Sequence, residues 1–368
     1  MRQLATIQKI AAIDPIPDRD QIGLAHVLGW RVIVRYDQFA VGDLCVFFEI
    51  DSLLPEKPEF EFMRARKFRV KTLKMAGVIS QGLCMPVSIL PPPADYSEGD
   101  NVTDVLGITK YEPPEDIPQT KGAIKGGKSR NKFRGFLYRF PLTRALMKRL
   151  SQDVRLDFPV FIAKTDESRC EGLPWIFGRR DIPYEVHEKV DGQSGTFLLE
   201  RHKHLRGLYT TYDFSVYSRN YRRLKDNSSY WSVAERYHIK EVLLSLLKKC
   251  DDKSDWVCIQ GECIAPGVQG NKYHVDTPDL YCFNLITQNS GRVDSIKAAK
   301  IVEEYGMKWV PLISEEYYLP ATIEELKDFA DGESALYPTL REGLVFRNYE
   351  KGISFKNVSK KFLLKYKE

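Results

Sequence analysis

The stretch EVHEKVDGQSGTF, residues 185–197, carries a lysine and an aspartate within a run that otherwise has the composition of a β-strand. Lys189 and Asp191 fall on the same face of that strand, because successive side chains point to opposite faces. Gly192 follows them. Two interpretations fit: a solvated strand edge with a turn, or a lysine nucleophile that takes a nucleotide from ATP or GTP. The K-x-D-G pattern alone does not decide, since it should arise by chance in roughly one chain in ten of this length.

The bulk properties of the chain bound its class. With 368 residues it is long enough for two domains, each with its own core. The net charge of +5 is mild, and the seven cysteines form no C-x-x-C pair. We therefore expect neither a disulfide framework nor a zinc site, and a reducing compartment fits best. No stretch approaches 18 apolar residues and the N-terminus is too charged for a signal peptide, so we expect a soluble intracellular protein that does not bind membranes.

The first part of the chain, residues 1–115, consists of short strand-like runs separated by turns, with little helical pattern. About five strands at this spacing predict a small closed β-barrel, and an OB-type barrel is the first choice. Within it, RARKFRVKTLK (residues 64–74) places Arg69 and Lys71 on one face. A basic exterior strand and a nucleic-acid-binding face explain this pattern equally well.

A change in composition marks residues 116–155 as a linker or insertion. No acidic residue occurs between 117 and 152, while ten lysines and arginines do, interleaved with aromatic residues. Such a run is either a solvated segment or a surface for nucleic acid.

Residues 156–368 show a mixed pattern. Seven strand-like runs occur at 184–190, 195–200, 207–218, 256–264, 279–286, 342–348 and 352–356. Helical spacing of apolar residues is found at 231–250 and 295–306, and Thr322 with Glu325 has the spacing of a capping box. Because helices are inserted between strands, we predict an α+β domain built on antiparallel sheets.

A lysine nucleophile needs partners that lie elsewhere in the chain. Cationic neighbours or burial must help it lose its proton, and a carboxylate must hold a metal beside the phosphates. Candidates for these and the remaining roles occur in order downstream, namely Ser218-Arg219, Gly261-Glu262, Phe283, Glu342-Gly343 and Lys356. Each has another explanation. Phe283 fits a strand core, and Lys356 fits a strand-edge lysine that extends to solvent.

Taken together, these residues resemble the motifs of the covalent nucleotidyltransferase superfamily, which includes ATP-dependent DNA ligases, RNA ligases and mRNA capping enzymes. DNA ligases and capping enzymes carry an OB domain after the last lysine motif. Here the chain ends twelve residues beyond Lys356 and the barrel comes first. This order is similar to that of nick-sealing RNA ligases of the Deinococcus and Naegleria type. The stretches FIAKTDESR and PGVQGNKY support the resemblance.

The resemblance implies a role for each motif residue, with ATP and Mg²⁺ or Mn²⁺ as cofactors. Lys189 would be the nucleophile, Lys356 would contact the α-phosphate, Arg219 would hold phosphate, and Phe283 would stack on adenine. The backbone of Glu188 would read the edge of the adenine. The carboxylates implied near the metal are Asp191, Glu262 and Glu342, and Glu262 has the ribose as its alternative partner.

One position departs from the family, because Val358 stands where many relatives have a second basic residue. Lys360 or Lys361 would have to replace that residue.

The implied activity is ATP-dependent joining of RNA 5′-phosphate and 3′-OH ends at nicks in duplex, in RNA repair, through a lysyl-AMP intermediate. The partner would be RNA, and we expect a monomer. Two other classes stay open at this point: an ATP-dependent DNA ligase or capping-type guanylyltransferase, and a non-catalytic OB-type RNA-binding protein.

Overall fold

The computed structural model describes residues 3–92, 95–111, 157–205, 208–249 and 253–366. The predicted linker at 116–155 lies outside these residues. The chain divides into two compact units: the first comprises Met1–Pro114, Asp166–Asp191 and Val310–Glu368, and the second comprises Glu115–Thr165 and Gly192–Trp309. None of the helices that the structure describes has the length and apolar character needed to cross a bilayer.

The barrel predicted for residues 1–115 is present. Its strands are β1 (Ala5–Lys9), β2 (Ala12–Ile16), β3 (Arg19–Val27), β4 (Trp30–Arg35), β5 (Leu44–Phe48), β6 (Ser52–Leu53), β7 (Thr72–Met75), β8 (Val78–Gln81), β9 (Leu83–Pro86) and β10 (Thr109–Lys110). Helix α1 (Thr103–Leu106) and 3₁₀ turns at Pro58–Arg66 and Val87–Ile89 complete it. The strands pair in the orders β1-β5-β9, β2-β3-β4, β7-β8 and β10-β6. The structure has more strands than the five predicted. Several of the additional strands are only two to four residues long, too short to show an alternating pattern in the sequence.

Strand β4 shows why the barrel forms from this sequence. In WRVIVR, residues Trp30, Val32 and Val34 are buried, and the residues between them are more exposed. This alternation is the pattern of a strand with one face on a core. The three side chains pack with Phe47 and Ile10 in one of two apolar clusters of the barrel.

The rest of the described chain contains both strands and helices. The strands are β11 (Ser168–Arg169), β12 (Tyr184–Lys189), β13 (Gln193–His204), β14 (Tyr209–Tyr217), β15 (Arg222–Arg223), β16 (Trp256–Ile264), β17 (Asp279–Thr287), β18 (Gly291–Arg292), β19 (Lys308–Trp309), β20 (Leu312–Tyr317), β21 (Gly343–Asn348) and β22 (Ile353–Val358). The helices are α2 (Ser229–Arg236), α3 (Ile239–Lys249), α4 (Ser295–Glu303), α5 (Ile323–Ala330) and α6 (Lys360–Tyr366). Short 3₁₀ turns span Cys170–Gly172, Pro174–Gly178 and Gln269–Asn271.

In the first unit, β11-β22-β21-β12-β20 form a five-stranded sheet in which only β11 pairs in parallel. One face carries a core of Tyr184, Val186, Leu344, Phe346 and Phe355. Side chains alternate between the two faces of a strand. The opposite face therefore carries the residues between them, and these include the predicted nucleophile.

The second unit is built on a seven-stranded sheet in the order β15-β14-β13-β16-β17-β18, with β19 parallel to β17. Helices α2 and α3 contact this sheet through apolar side chains. The apolar spacing at 231–250 predicted helix here, and the structure contains two helices separated by His238 at φ 48°. Next to this break, the Tyr237 hydroxyl donates to the Asp279 carboxylate.

The barrel contacts the rest of its own unit at Gly29, beside a buried ion pair. The Gly29 N–H donates to the Glu171 carbonyl (2.9 Å), and Lys327 Nζ donates to the Gly29 carbonyl (3.2 Å). Lys327 and Glu171 are almost fully buried and lie 3.5 Å apart. Burial opposes the charge of Glu171, but Lys327 and Arg169 outweigh it and hold the pKa of this carboxyl below its usual range. Gly29 permits this approach, because a Cβ there would lie 2.9 Å from the Cα and the carbonyl oxygen of Glu171.

Candidate functional site

Lys189 is the last residue of β12, and its Nζ donates to Glu342 Oε2 at 2.5 Å. Glu342 immediately precedes β21, and Lys189 pairs across the sheet with Gly343. The side chains are 26% and 13% exposed, so water can still reach this ion pair. The structure therefore brings together the predicted nucleophile and one of the predicted metal carboxylates, which are 153 residues apart in the sequence.

Gly343 allows this arrangement. A Cβ at this position would lie 2.3 Å from the Asn357 carbonyl oxygen and 2.9 Å from Val358 Cα. Any larger residue would therefore push β21 away from β22. The glycine of the Glu-Gly pair consequently has a physical reason, since it lets the backbone of β22 approach β21 directly after Glu342.

Lys356 lies on the same face of the sheet as Lys189. It pairs with Val345, and Val345 pairs with His187 two residues before the nucleophile. Two strand spacings, about 10 Å, thus separate the strands that carry the two lysines. Lys356 Nζ lies 3.3 Å from Asp166 Oδ1.

Val358, which stands where many relatives have a second basic residue, lies on this face as well. Val358 is buried and pairs with Gly343. Of the two lysines that could replace the missing base, Lys360 contacts Asp328 at 3.3 Å. The N–H of Lys361 donates to Asp331. Neither contact gives Lys360 or Lys361 the predicted phosphate role, which stays a prediction.

Glu188 has a different environment from its neighbours. Its carboxylate is buried and accepts hydrogen bonds from Ser334 Oγ (2.5 Å) and the Ala335 N–H (2.7 Å). Burial raises the pKa of this carboxyl above its usual range. Its N–H donates to the Pro311 carbonyl at 2.9 Å. The side chain therefore anchors the loop at 334–335, and the predicted contact of the Glu188 backbone with adenine stays a prediction.

Asp191, the last residue of the first unit before the chain enters the second, is also buried. Its implied place near the metal stays a prediction.

In the second unit, Glu262 is partly buried in β16, opposite Ser194 on β13 and Tyr281 on β17. Glycines surround it. A Cβ at Gly192 would lie 3.0 Å from Glu262 Cγ and 2.5 Å from the Cys263 carbonyl. A Cβ at Gly261 would lie 2.7 Å from the Leu280 side chain. Close contacts around Glu262 thus explain why glycine stands at position 192, after the lysine motif, and at position 261, in the Gly-Glu motif.

Phe283 lies at an irregularity of the sheet. Gln260 pairs with Asn284, but the next residue, Gly261, pairs with Cys282, so Phe283 is the extra residue of a β-bulge. Phe283 is only partly buried, unlike the residues on either side of it. Bulges redirect side chains and occur next to active sites. This placement favours the ligand-stacking role over the strand-core alternative.

Arg219 is displayed by a tight turn between β14 and β15. Ser218 is buried, and its N–H donates to the Tyr221 carbonyl at 2.9 Å. Its hydroxyl lies 3.2 Å from the same carbonyl. The serine of the Ser-Arg motif therefore shapes the turn, and the arginine is its half-buried second residue.

Arg169 was missed by the sequence analysis. It pairs in parallel with Lys356 and is 8% exposed. Within the described part of the chain, its Nε and Nη1 atoms have no hydrogen-bond partner. Its guanidinium lies 6.0 Å from the ring of Trp30. A buried guanidinium with donors to spare is suited to an anion such as phosphate, and the only signal for it was its place in FIAKTDESR.

The residues present suit a metal that arrives with a nucleotide. Among the described residues, no group of three or more His, Cys, Asp or Glu side chains could hold an ion by itself. Mg²⁺ usually binds through one or two carboxylates, with phosphate oxygens and waters completing its shell. The predicted metal carboxylates, Asp191 and Glu342 in the first unit and Glu262 in the second, carry oxygen donors of the type that Mg²⁺ and Mn²⁺ prefer.

Known protein families match both parts of this chain. Residues 4–87 match the model of an OB-fold domain, and residues 182–367 match the RNA ligase family model. The Naegleria gruberi RNA ligase with PPi is 29% identical, with a TM-score of 0.77 over 100% of this chain and 99% of that one. Variants of that ligase with AMP and Mn, and with ATP and Mn, are also 29% identical, with TM-scores of 0.77 and coverage of at least 99% of both chains. No curated protein matches the chain in sequence. The chain belongs to the RNA ligase family.

Proposed function

We propose that this chain is an ATP-dependent RNA ligase that seals nicks in duplex, through AMP carried on Lys189. The observation that supports this most is the pair formed by Lys189 and Glu342, with Lys356 on the same face of the sheet. A cation that can become a nucleophile, a carboxylate that can change partner, and a second cation are what nucleotidyl transfer to lysine requires.

The reaction proceeds through three transfers at phosphorus. The Lys189 amine attacks the α-phosphorus of ATP, an N–P bond forms, and pyrophosphate leaves with the electrons of the broken P–O bond. An RNA 5′-phosphate oxygen then attacks the same phosphorus and releases Lys189. Finally a 3′-OH attacks the 5′-phosphorus, and AMP leaves. Charge builds on phosphate oxygens in each step, so positioning and electrostatic stabilisation carry the catalysis.

The residues of the chain divide this work among them. Lys356 holds the α-phosphate, Arg219 holds phosphate on the substrate side, and Phe283 stacks on the adenine. Arg169 adds a phosphate contact that follows from its unpaired donors. Glu262 contacts the ribose or the metal. The Naegleria ligase has been solved with ATP and Mn, and we assign ATP and Mg²⁺ or Mn²⁺ to this chain, with Asp191 and Glu342 near the ion.

Glu342 has two successive partners in this scheme. Its carboxylate pairs with the Lys189 ammonium in the structure, and this pairing favours the charged, non-nucleophilic lysine. A divalent cation supplies positive charge that stabilises the phosphates and disfavours the ammonium. Glu342 would be among the residues that hold that cation, and Lys189 would then lose a stabilising partner and could give up its proton.

We assign residues 1–115 as a nucleic-acid-binding domain, 116–155 as a basic linker and 156–368 as the adenylation domain. The barrel and the basic linker would hold RNA duplex around the break, and the active form would be a monomer. Six cysteines of the described chain are free and buried, which supports a reducing, intracellular setting.

The proposal is tested by covalent labelling. The protein is incubated with α-³²P-ATP or α-³²P-GTP and Mg²⁺ or Mn²⁺, beside Lys189→Ala and the exposed-site control Lys351→Ala. We expect label from ATP in the wild type and the control, none in Lys189→Ala, and sealing of a nicked duplex that has an RNA 3′-OH end. Label from GTP would indicate a capping-type enzyme. No label with either nucleotide would indicate an RNA-binding protein without this chemistry.

A further inference from the structure

Asp166 lies between two lysines from distant parts of the sequence. Its Oδ1 is 3.3 Å from Lys356 Nζ, and its Oδ2 accepts a hydrogen bond from Lys110 Nζ. The side chains of Lys110, Asp166 and Lys356 are 21%, 21% and 14% exposed, so water screens their charges only in part. One carboxylate is therefore shared by a lysine of barrel strand β10 and a lysine of β22.

The backbone holds Asp166 in this place. Two residues further along the chain, Ser168 and Arg169 pair in parallel with Phe355 and Lys356. Glu167, which stands between Asp166 and Ser168, lies 3.4 Å from Arg347 on β21. The short segment 166–169 is thus anchored to the strand that carries Lys356. The separation between Asp166 and Lys356 is consequently fixed by the sheet.

Sharing the carboxylate has a consequence for Lys356. A lysine ammonium is a point charge on a flexible four-carbon stem with three donors. Contact with Asp166 restricts where that charge lies. Because Lys110 binds the second oxygen, the carboxylate does not neutralise Lys356 completely.

We propose that Asp166 is a positioning residue for Lys356 in the transfer of AMP to Lys189, and that Lys110 of the barrel sets how strongly Asp166 holds it. This inference rests on the proposed function, because Lys356 has to contact the transferred phosphate. It assigns to the barrel a part in the first chemical step, separate from binding RNA.

The test is a double-mutant cycle on the rate of lysyl-AMP formation under single-turnover conditions. We expect Asp166→Asn to slow the step about 10²-fold, the effect of a small displacement of a catalytic group. Lys356→Met should also slow it, and the double variant should be no slower than Lys356→Met alone, because Asp166 acts through Lys356. Asp181→Asn, which changes an exposed aspartate of the same unit, should keep the wild-type rate.

Each outcome decides between the alternatives. A wild-type rate in Asp166→Asn, or a double variant slower than Lys356→Met by the full Asp166→Asn factor, overturns the positioning role while the wild type still labels. A wild type that fails to label with ATP overturns the proposed function, and this inference with it. Thermal unfolding of every variant shows whether a slow rate reflects lost folding.

Lys110 provides a second route should Asp166→Asn fail to fold. In Lys110→Met the carboxylate loses one of its two lysines and should hold Lys356 more strongly, so the half-saturating ATP concentration for labelling should rise several-fold. Lys110→Arg, which restores a cation, should return it towards the wild-type value. An unchanged half-saturating concentration in Lys110→Met overturns the part assigned to the barrel.

Discussion

Lys189 and Glu342 form an ion pair in which Lys189 Nζ lies 2.5 Å from Glu342 Oε2. A carboxylate beside an amine favours the ammonium form over the free amine. In the function that we propose, Lys189 must act as a free amine, so Glu342 would have to release it when ATP binds. The ion pair would thus connect binding of the nucleotide to formation of the nucleophile.

The first prediction concerns the pH dependence of labelling. The rate of lysyl-AMP formation should rise with pH, because the amine must lose its proton. In Glu342→Gln the rise should begin at lower pH, since the carboxylate no longer stabilises the ammonium, while the maximal rate falls about 10²-fold. Single-turnover labelling from pH 6 to about 10, the range below a free lysine pKa near ~10.4, measures both effects. Glu350→Gln, at an exposed site, is the control, and equal midpoints in wild type and Glu342→Gln would contradict the idea.

The second prediction concerns Gly343. Alanine there would place a Cβ 2.3 Å from the Asn357 carbonyl oxygen. Forcing β21 away from β22 should cost about 1–3 kcal/mol in the free energy of unfolding and should lower the labelling rate, because Glu342 moves. Gly178→Ala is a matched control, since a Cβ there meets nothing within 4 Å. Denaturant unfolding and labelling are measured on both variants. Equal free energies of unfolding and equal labelling rates in the two alanine variants would refute this account.

The third prediction concerns the bulge at Phe283. Stacking of a base on an aromatic ring contributes about 1–3 kcal/mol, so Phe283→Leu should raise the half-saturating ATP concentration about 5- to 150-fold. Phe283→Tyr keeps the ring and should stay near the wild type. A titration of labelling against ATP distinguishes them. If leucine and tyrosine gave the same half-saturating concentration, Phe283 would be a core residue.

The fourth prediction concerns the buried pair of Glu171 and Lys327, which lies beside the barrel residue Gly29. The pKa of Glu171 is lower in the folded protein than its ordinary value of 4.5. The folded state therefore binds fewer protons there than the unfolded state. This stabilisation is complete above about pH 4.5, the ordinary value, and is lost as pH falls through the lower folded pKa.

Glu171→Gln should reduce the free energy of unfolding at pH 7 by about 3–5 kcal/mol, because Lys327 stays buried without a negative partner. Its further loss of stability between pH 5 and about 3 should be smaller than that of the wild type. Urea unfolding across this range gives both numbers, and Glu98→Gln at an exposed barrel site is the control. A pH slope in Glu171→Gln as steep as in the wild type would show that another group carries the acid sensitivity.

Local pattern was enough to predict much of the fold. The seven strand-like runs of the C-terminal part match observed strands to within two residues at most ends, because period-two alternation is a local property. The capping box is confirmed by the Glu325 N–H, which donates to Thr322 Oγ1 at 3.3 Å. Gly306 stands three residues after α4 with φ 73°, the left-handed conformation that is common just after a helix. The break at His238 was not predicted, since the apolar spacing continues through it.

The sequence by itself determined the order of the motifs, the barrel ahead of the RNA ligase domain, and the residue types that nucleotidyl transfer requires. Only the tertiary structure decided which charges meet. It paired Lys189 with Glu342, gave Asp166 two lysines, buried the Glu188 carboxylate against residues 334–335, and placed Phe283 in a bulge. The physical reason is that strand patterns are set by neighbours in the chain. Ion pairs and bulges instead depend on strand register between segments more than 20 residues apart, and no local periodicity encodes that register.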